Sequence, residues 1–487
     1  MRGTDNALTI AIIGSGFGGI GMAIRLKQAG IHNFTIYTRS HEVGGVWYEN
    51  TYPGAACDVA SSLYSYSFEP RWDWSRTHGT QPEIAAYLKH CVAKYGIAPH
   101  IRFGAAIAHA DYDEERALWR LGAADGRRFE ANVLVSACGL FNEPAYPEIP
   151  GLSDFSGACF HSARWDHDYD LTGKRVAVIG TGCSTAQYVP EIVGKVSRLT
   201  AFIRTPQYVM PKIERTFDAA ERQSYRRFPV RRRFERIKTY VSFERRFAVF
   251  VDERARKAAE DAALAFLASQ VKDPEKRRLL TPTYRFGCKR TIQSRDYLAA
   301  LDRDNVEIVR TPIARAVADG LVDAEGRHHA LDCVIFGTGF VPSDYLASLS
   351  VTGAGGRALK DAWRDGPEAY LGITVAGFPN FFMLYGPNTN TATSIVVMLE
   401  GQIGYILKCL KRLRGGSARS MSVRAEVQAR FNADVQKTIA ATTWGSGCRS
   451  YFVNAAGRVV TQWPKPSRVY RWLTRRPRAS DFQFTRG

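Results

Sequence analysis

Apolar and polar positions over the first forty residues fall into three blocks. "LTIAIIG" is a continuous apolar run, rich in β-branched residues and closed by glycine, the pattern of a strand buried on both faces of a parallel sheet. "GSGFGGIGMAIRLKQAG" reads as a glycine turn opening a helix that closes at Gly30, and "NFTIYT" as the next strand. The three blocks make a βαβ unit with Gly14, Gly16 and Gly19 at its turn and Ser15 and Phe17 between them. That spacing suits a dinucleotide: a tight turn, a backbone that can approach a pyrophosphate, and a helix packed close on its strand.

The pattern occurs twice. "KRVAVIGTGCSTAQYVPEIV" again gives strand, turn and helix, with Gly180 and Gly182 in the turn and Ala186 as the third small residue, and "SRLTAFIRTP" supplies the following strand. One such match is weak; two in strand and helix context predict two bound dinucleotides and an α/β fold of two Rossmann-like domains. The residue closing the second strand of each unit selects the nucleotide. In the second unit it is Arg204, whose guanidinium suits a 2′-phosphate better than bare ribose hydroxyls, so that site is expected to take NADPH. In the first unit it is Thr38, followed by Arg39; the usual ribose-binding acid is missing, and the residues alone leave that nucleotide open.

Elsewhere the pattern predicts short strands at "ALWRLGA" and "NVLVSACG", a proline-rich exit at "FNEPAYPEIPG", further strands at "DCVIFGTGF" and "FPNFFMLYG", and a helix from about Thr393. Residues 213–280 are charged and helical, an insertion in the second unit. The expected division is 1–148 for the first dinucleotide domain, 149–379 for the second with its insertion, and 380–487 returning to the first.

Composition narrows the picture. The chain has 487 residues, 45% hydrophobic and 23% charged, the balance of an ordinary globular protein of two or three domains. No apolar run reaches the length of a membrane span and the first residues lack a signal-peptide layout, so the expected location is the cytoplasm, with no integral membrane segment. Nine cysteines without a C-x-x-C pair argue against a disulfide framework, a metal site and a redox-active disulfide; small buried residues are expected instead. The net charge of +19 is densest in "RRFPVRRRFERIKTYVSFERRF", residues 226–247, read as a solvated helical face; no nucleic-acid-binding signature accompanies it.

"FSGACFHSARWD", just before the second unit, is too polar for a core and too aromatic for a common linker. It resembles the fingerprint F-x-G-x-x-x-H-x-x-x-W-[P/D] of type I Baeyer–Villiger monooxygenases, through Phe155, Gly157, His161, Trp165 and Asp166. "GGVWYENTYPGAACD" resembles a second block of that family, with Gly44, Gly45, Trp47, Tyr52, Pro53, Gly54 and Asp58 in place. "YSYSF", "CGLFNEPAYPEIPG", "FGTGF" and "FPNFFMLYGPNT" extend the likeness over nearly the whole chain.

The resemblance implies FAD in the first domain, NADPH in the second, and conversion of a ketone to an ester or lactone with dioxygen through a C4a-peroxyflavin. It implies Arg290 as the catalytic arginine, with Asp58 as its carboxylate partner. Lys289 would hold the 2′-phosphate with Arg204 and Thr205, and Thr181, Gly182, Cys183, Ser184, Thr185, Ala186 and Gln187 would form the NADP turn. Gly45, Trp47 and Tyr64 would line the flavin, Ile107 would contact its adenine end, and His161 would couple domain movement to cofactor positioning. Two departures stand out: Thr38 for the acidic ribose ligand, and Tyr451 where relatives often carry tryptophan. The alternatives are a heteroatom oxygenase of the same doubled fold and a flavin-binding protein without catalysis. The ketone, the regiochemistry and the oligomeric state are not legible.

Overall fold

The computed structural model describes residues 8–341, 345–346, 348–415, 418–447 and 450–486. Two five-stranded sheets, every neighbouring pair parallel, form the frame. The first runs in the order Phe381–Met383, Val133–Ser136, Ile10–Ile13, Phe34–Tyr37, Ile101–Arg102. The second runs Val306–Val309, Arg198–Phe202, Arg175–Ile179, Cys333–Phe336, Ala158–His161. Their central strands are buried on both faces, which is why the sequence shows unbroken apolar runs instead of alternation.

Helices Phe17–Gln28 and Ile395–Arg414 cover one face of the first sheet, joined in its core by Ile403, Ile406 and Leu410. A smaller sheet, Ile107–Asp113, Leu118–Ala123 and Arg128–Ala131, covers the other through Trp119 and Leu121. Helix Cys183–Ile192 packs on the second sheet through Ala186, Val189 and Ile192.

The expected boundary at 379 shifts. Ser350–Thr352 adds to the small sheet beside Ile107–Asp113, and Ala369, Val375 and Phe378 lie in the core shared with Trp119, so the chain has returned to the first domain by residue 350. The insertion is helical as expected: Ala219–Arg227, Pro229–Arg246, Ala248–Val251, Glu253–Gln270 and Pro274–Leu280. Asp218 and Asp252 cap the N-termini of two of these helices by accepting backbone N–H bonds. The long helix Pro229–Arg246 leans on the first domain. Arg236 donates to the carbonyls of Ser62 and Ser65 at 2.9 Å each, and Thr239 pairs with the Ser62 hydroxyl at 3.1 Å.

The cysteines divide more finely than expected. Cys57, Cys91, Cys333 and Cys409 are buried and free, Cys159 is exposed, and Cys288 is disulfide-bonded, which corrects the expectation of unpaired cysteines.

Candidate functional site

Both glycine turns open onto one continuous cavity of about 1650 Å³. A site for one small ligand is typically about 300–1,000 Å³, so this volume suits two dinucleotides and a substrate together. At the first turn Gly14 has φ +110°, and a Cβ there would lie 2.4 Å from the Ala137 carbonyl oxygen. A Cβ on Gly19 would lie 1.9 Å from the Gly14 carbonyl oxygen, so Gly19 is fixed by helix packing and stands behind the cavity wall. Gly180 repeats this at φ +120° against Gly337.

Helices Phe17–Gln28 and Cys183–Ile192 begin at Gly16 and Gly182, with no side-chain cap and no acid in the first turn. Their leading N–H groups are therefore free, and the helix dipoles add positive potential where a pyrophosphate would rest. The residues present thus fit a dinucleotide at each turn.

Arg290 and Asp58 meet between the two turns. One guanidinium nitrogen donates to the Asp58 carboxylate, and Nε contacts the Cys183 sulfur at 3.2 Å. Both side chains line the cavity, 37% and 24% accessible respectively. The carboxylate raises the arginine well above its ordinary range. Burial opposes ionisation of Asp58, but attraction to Arg290, reinforced by Lys212, holds its carboxyl below the usual range. The pair is charged at every working pH. Tyr451 is half-buried beside it with its hydroxyl enclosed next to Arg290; burial raises the phenol although Arg290 lowers it, so it stays protonated and able to donate.

Gln187 links the domains. Its Oε1 accepts from the Tyr52 hydroxyl at 2.9 Å and its Nε2 donates to the Ala56 carbonyl at 2.8 Å. The NADP turn is thereby tied to the loop that carries Asp58.

Arg204 and Lys289 line the cavity together with Thr205. Among the described residues neither forms an ion pair with a carboxylate; Lys289 rests its ammonium 5.1 Å from the Tyr284 ring centroid. Burial and then the nearby Arg204 lower the Lys289 pKa. Two cations held close without a counter-charge make a fitting cradle for a dianionic phosphate.

At the first turn, Ser15 donates to the Thr38 hydroxyl at 3.0 Å. A carboxylate at this corner, Glu49, was not anticipated from the sequence; it is paired with Arg39 at 3.2 Å and accepts from Ser40 at 3.3 Å. Arg39 also bonds Glu143 and the Asn142 carbonyl, at 2.5 and 2.7 Å. This corner offers a ribose hydroxyls and a neutralised acid, in place of one free carboxylate. Trp47 donates to the Tyr64 hydroxyl at 3.1 Å, and Tyr64 meets Phe17 edge to face at 5.0 Å, so these rings form one wall near Gly45. Ile107 also lines the cavity.

Besides Gly19, three predicted residues lie behind the wall. Thr185 and Ala186 are buried in the second core. His161 closes the edge strand Ala158–His161 and is fully buried, with Nδ1 accepting from the Ala163 N–H at 3.0 Å. Its ring sits 5.3 Å from Tyr146 of the first domain's exit and 6.0 Å from Phe340 of the second's. His161 therefore stands at the crossing between domains, outside the cavity lining. An apolar part of the cavity lining also escaped the sequence: Phe243 and Phe250 come from the insertion, and Trp444 lies tilted against Phe250 with ring centroids 4.6 Å apart.

Burial lowers the His161 pKa from 6.5 to about 4. The unfolded chain then binds the proton first, so this group's contribution to stability is intact above about pH 6.5 and is lost as pH falls toward 4. The thermal midpoint should therefore drop between pH 7 and 5, and His161→Asn, which keeps the acceptor, should show a lower midpoint with a shallower slope. An unchanged slope would assign the titration elsewhere.

Two parallel-sheet domains with facing phosphate turns, one of them carrying an unpaired cation pair, define an oxidoreductase built for two dinucleotides. A family profile described as pyridine nucleotide-disulphide oxidoreductase matches residues 11–244. A Baeyer-Villiger monooxygenase of Pseudomonas aeruginosa is 43% identical over 480 residues, covering 98% of this chain and 91% of that protein. Among solved structures, an oxidized steroid monooxygenase bound to NADP superimposes with a TM-score of 0.88 at 30% identity, covering 99% of each chain. The OTEMO complex with FAD and NADP gives 0.88 at 26% identity, covering 98% of this chain and 99% of that one. The chain belongs to the Baeyer–Villiger monooxygenases, enzymes that use FAD and NADPH. Among the described residues, no helix is long and apolar enough to cross a membrane.

Proposed function

We propose that this enzyme uses NADPH and dioxygen to insert an oxygen atom beside the carbonyl of an apolar ketone, giving an ester or lactone. The observation that carries the reading is the Arg290–Asp58 pair, set between the two dinucleotide turns and roofed by aromatic side chains. FAD, when bound, supplies the activation of dioxygen. The protein's own groups do the rest.

The N–H groups after Gly16 and Gly182 hold the two pyrophosphates, and Arg204, Thr205 and Lys289 grip the 2′-phosphate of NADPH. Arg290 would hold negative charge that develops on oxygen in the cavity; a guanidinium serves because it keeps its proton. Asp58 orients Arg290, and the Tyr451 hydroxyl supplies a donor on the same side. Phe243, Phe250 and Trp444 exclude water and select for an apolar carbonyl compound.

The test is turnover of the FAD-loaded enzyme with NADPH under ¹⁸O-labelled dioxygen, against a panel of ketones and sulfides, with products read by mass spectrometry. The expected product is an ester carrying one labelled oxygen. NADPH consumption that yields hydrogen peroxide alone, or sulfoxides without any ester, overturns the proposal.

A further inference from the structure

The insertion helix Pro229–Arg246 carries an apolar strip on its outer side. Val230, Phe234 and Ile237 are 76%, 63% and 61% exposed, and Val241 extends the strip. Their spacing of four, three and four residues places all of them on one face. The opposite face is fixed to the body of the protein by Arg236, Thr239 and Phe243, while Glu244 closes the strip at its C-terminal end by bonding Ser467; among the described residues the side chains of Val230, Phe234 and Ile237 stay exposed.

Cations flank it. Arg231, Arg233, Lys238, Arg245 and Arg246 are exposed, and Arg226 and Arg227 precede them. No exposed acid lies between residues 226 and 246: Glu235 is half-buried, and buried Glu244 bonds Ser467.

A second element has the same character. Helix Ser467–Leu473 presents Trp472, 65% exposed, among exposed Arg468, Arg471, Arg475, Arg476 and Arg478. It is joined to the first: the Ser467 N–H and hydroxyl donate to Glu244 at 2.9 and 2.6 Å, and the Arg471 guanidinium lies 6.0 Å from the Tyr240 ring centroid.

We propose that these two helices form a docking face for an anionic phospholipid membrane, on which the enzyme rests without crossing it. Charge complementarity selects this occupant. A nucleic acid would satisfy the cations but leave the strip in water. A second copy of the chain would cover the strip but set arginine against arginine. An anionic bilayer takes the apolar side chains and exposed tryptophan at its headgroup boundary while its charges meet the flanking cations. The net charge of +19 acts in the same direction at longer range. Phe243 and Arg246, at the end of the same helix, line the cavity, as does the 82% exposed Ile213. The face therefore borders the route into the site, where a ketone dissolved in lipid would arrive. The proposal stands on surface chemistry and is independent of the reaction assigned above.

The experiment is cosedimentation of the FAD-loaded enzyme with vesicles of phosphatidylcholine alone, or of phosphatidylcholine mixed with phosphatidylserine. Binding should be at least about tenfold stronger with phosphatidylserine and should weaken with salt. Phe234→Ser/Ile237→Ser and Arg233→Glu/Lys238→Glu should each lose at least about tenfold in binding while keeping flavin content and circular dichroism, since all four side chains are exposed. Wild-type protein left in the supernatant overturns the proposal, as does equal binding to both vesicle types or undiminished binding by the serine variant. A dimer in ultracentrifugation that the serine variant dissolves, without vesicle binding, also overturns it and gives the face to a second copy.

Discussion

Arg290→Ala should bind FAD and accept electrons from NADPH, yet make about a thousandfold less ester. Among the described residues the guanidinium is the one permanent cation paired with Asp58, and it faces the cavity onto which both turns open. Its removal takes away the charge that stabilises anionic oxygen and leaves a partly buried carboxylate in its place, which repels that oxygen. The flavin should remain, because the Gly14 turn and the Trp47–Tyr64 wall are built without Arg290. Visible absorbance gives flavin content, anaerobic mixing with NADPH gives the reduction rate, and product chromatography gives the ester. Arg290→Lys should recover only part of the loss, since one ammonium cannot bond Asp58 and reach Cys183 together. Ester formation near the wild-type rate in the alanine variant would remove Arg290 from the chemistry.

The second large effect concerns coenzyme choice. Arg204→Ala with Lys289→Ala should raise KM for NADPH by roughly 100-fold and leave KM for NADH within about twofold, because charged hydrogen bonds to a phosphate are lost only where the phosphate exists. Steady-state kinetics with both coenzymes decide it. Equal damage to both would mean that the residues support the fold of the turn and do not grip the phosphate. Since burial and Arg204 lower the Lys289 pKa, the wild-type preference for NADPH should also fade at a lower alkaline pH than an ordinary lysine would give.

Much of this was legible because the signals are local. A strand, a glycine turn and a helix lie within thirty residues of one another, and the close approaches at Gly14, Gly19 and Gly180 are ones only glycine allows. The pairing of Asp58 with Arg290 joins residues 232 apart, and the family resemblance alone pointed to it. What stayed hidden was long-range or rested on side-chain direction. Ser350–Thr352 is a three-residue strand, too short to announce that the chain has already returned to the first domain. Glu49 reaches the Thr38 corner only because Arg39 turns toward it. The insertion reads as a solvated face because its cations dominate the sequence; that four apolar residues share the outward side depends on which side Arg236 and Thr239 anchor.

The Gln187 bridge is a mechanical seam. One side chain in the helix that follows the second glycine turn bonds the Tyr52 hydroxyl and both backbone polar groups of Ala56, two residues before Asp58. A rotation that separates the two sides by more than a hydrogen-bond length must break all three contacts at once. Any such movement therefore pulls on the loop that carries Asp58 as well as on the glycine turn itself.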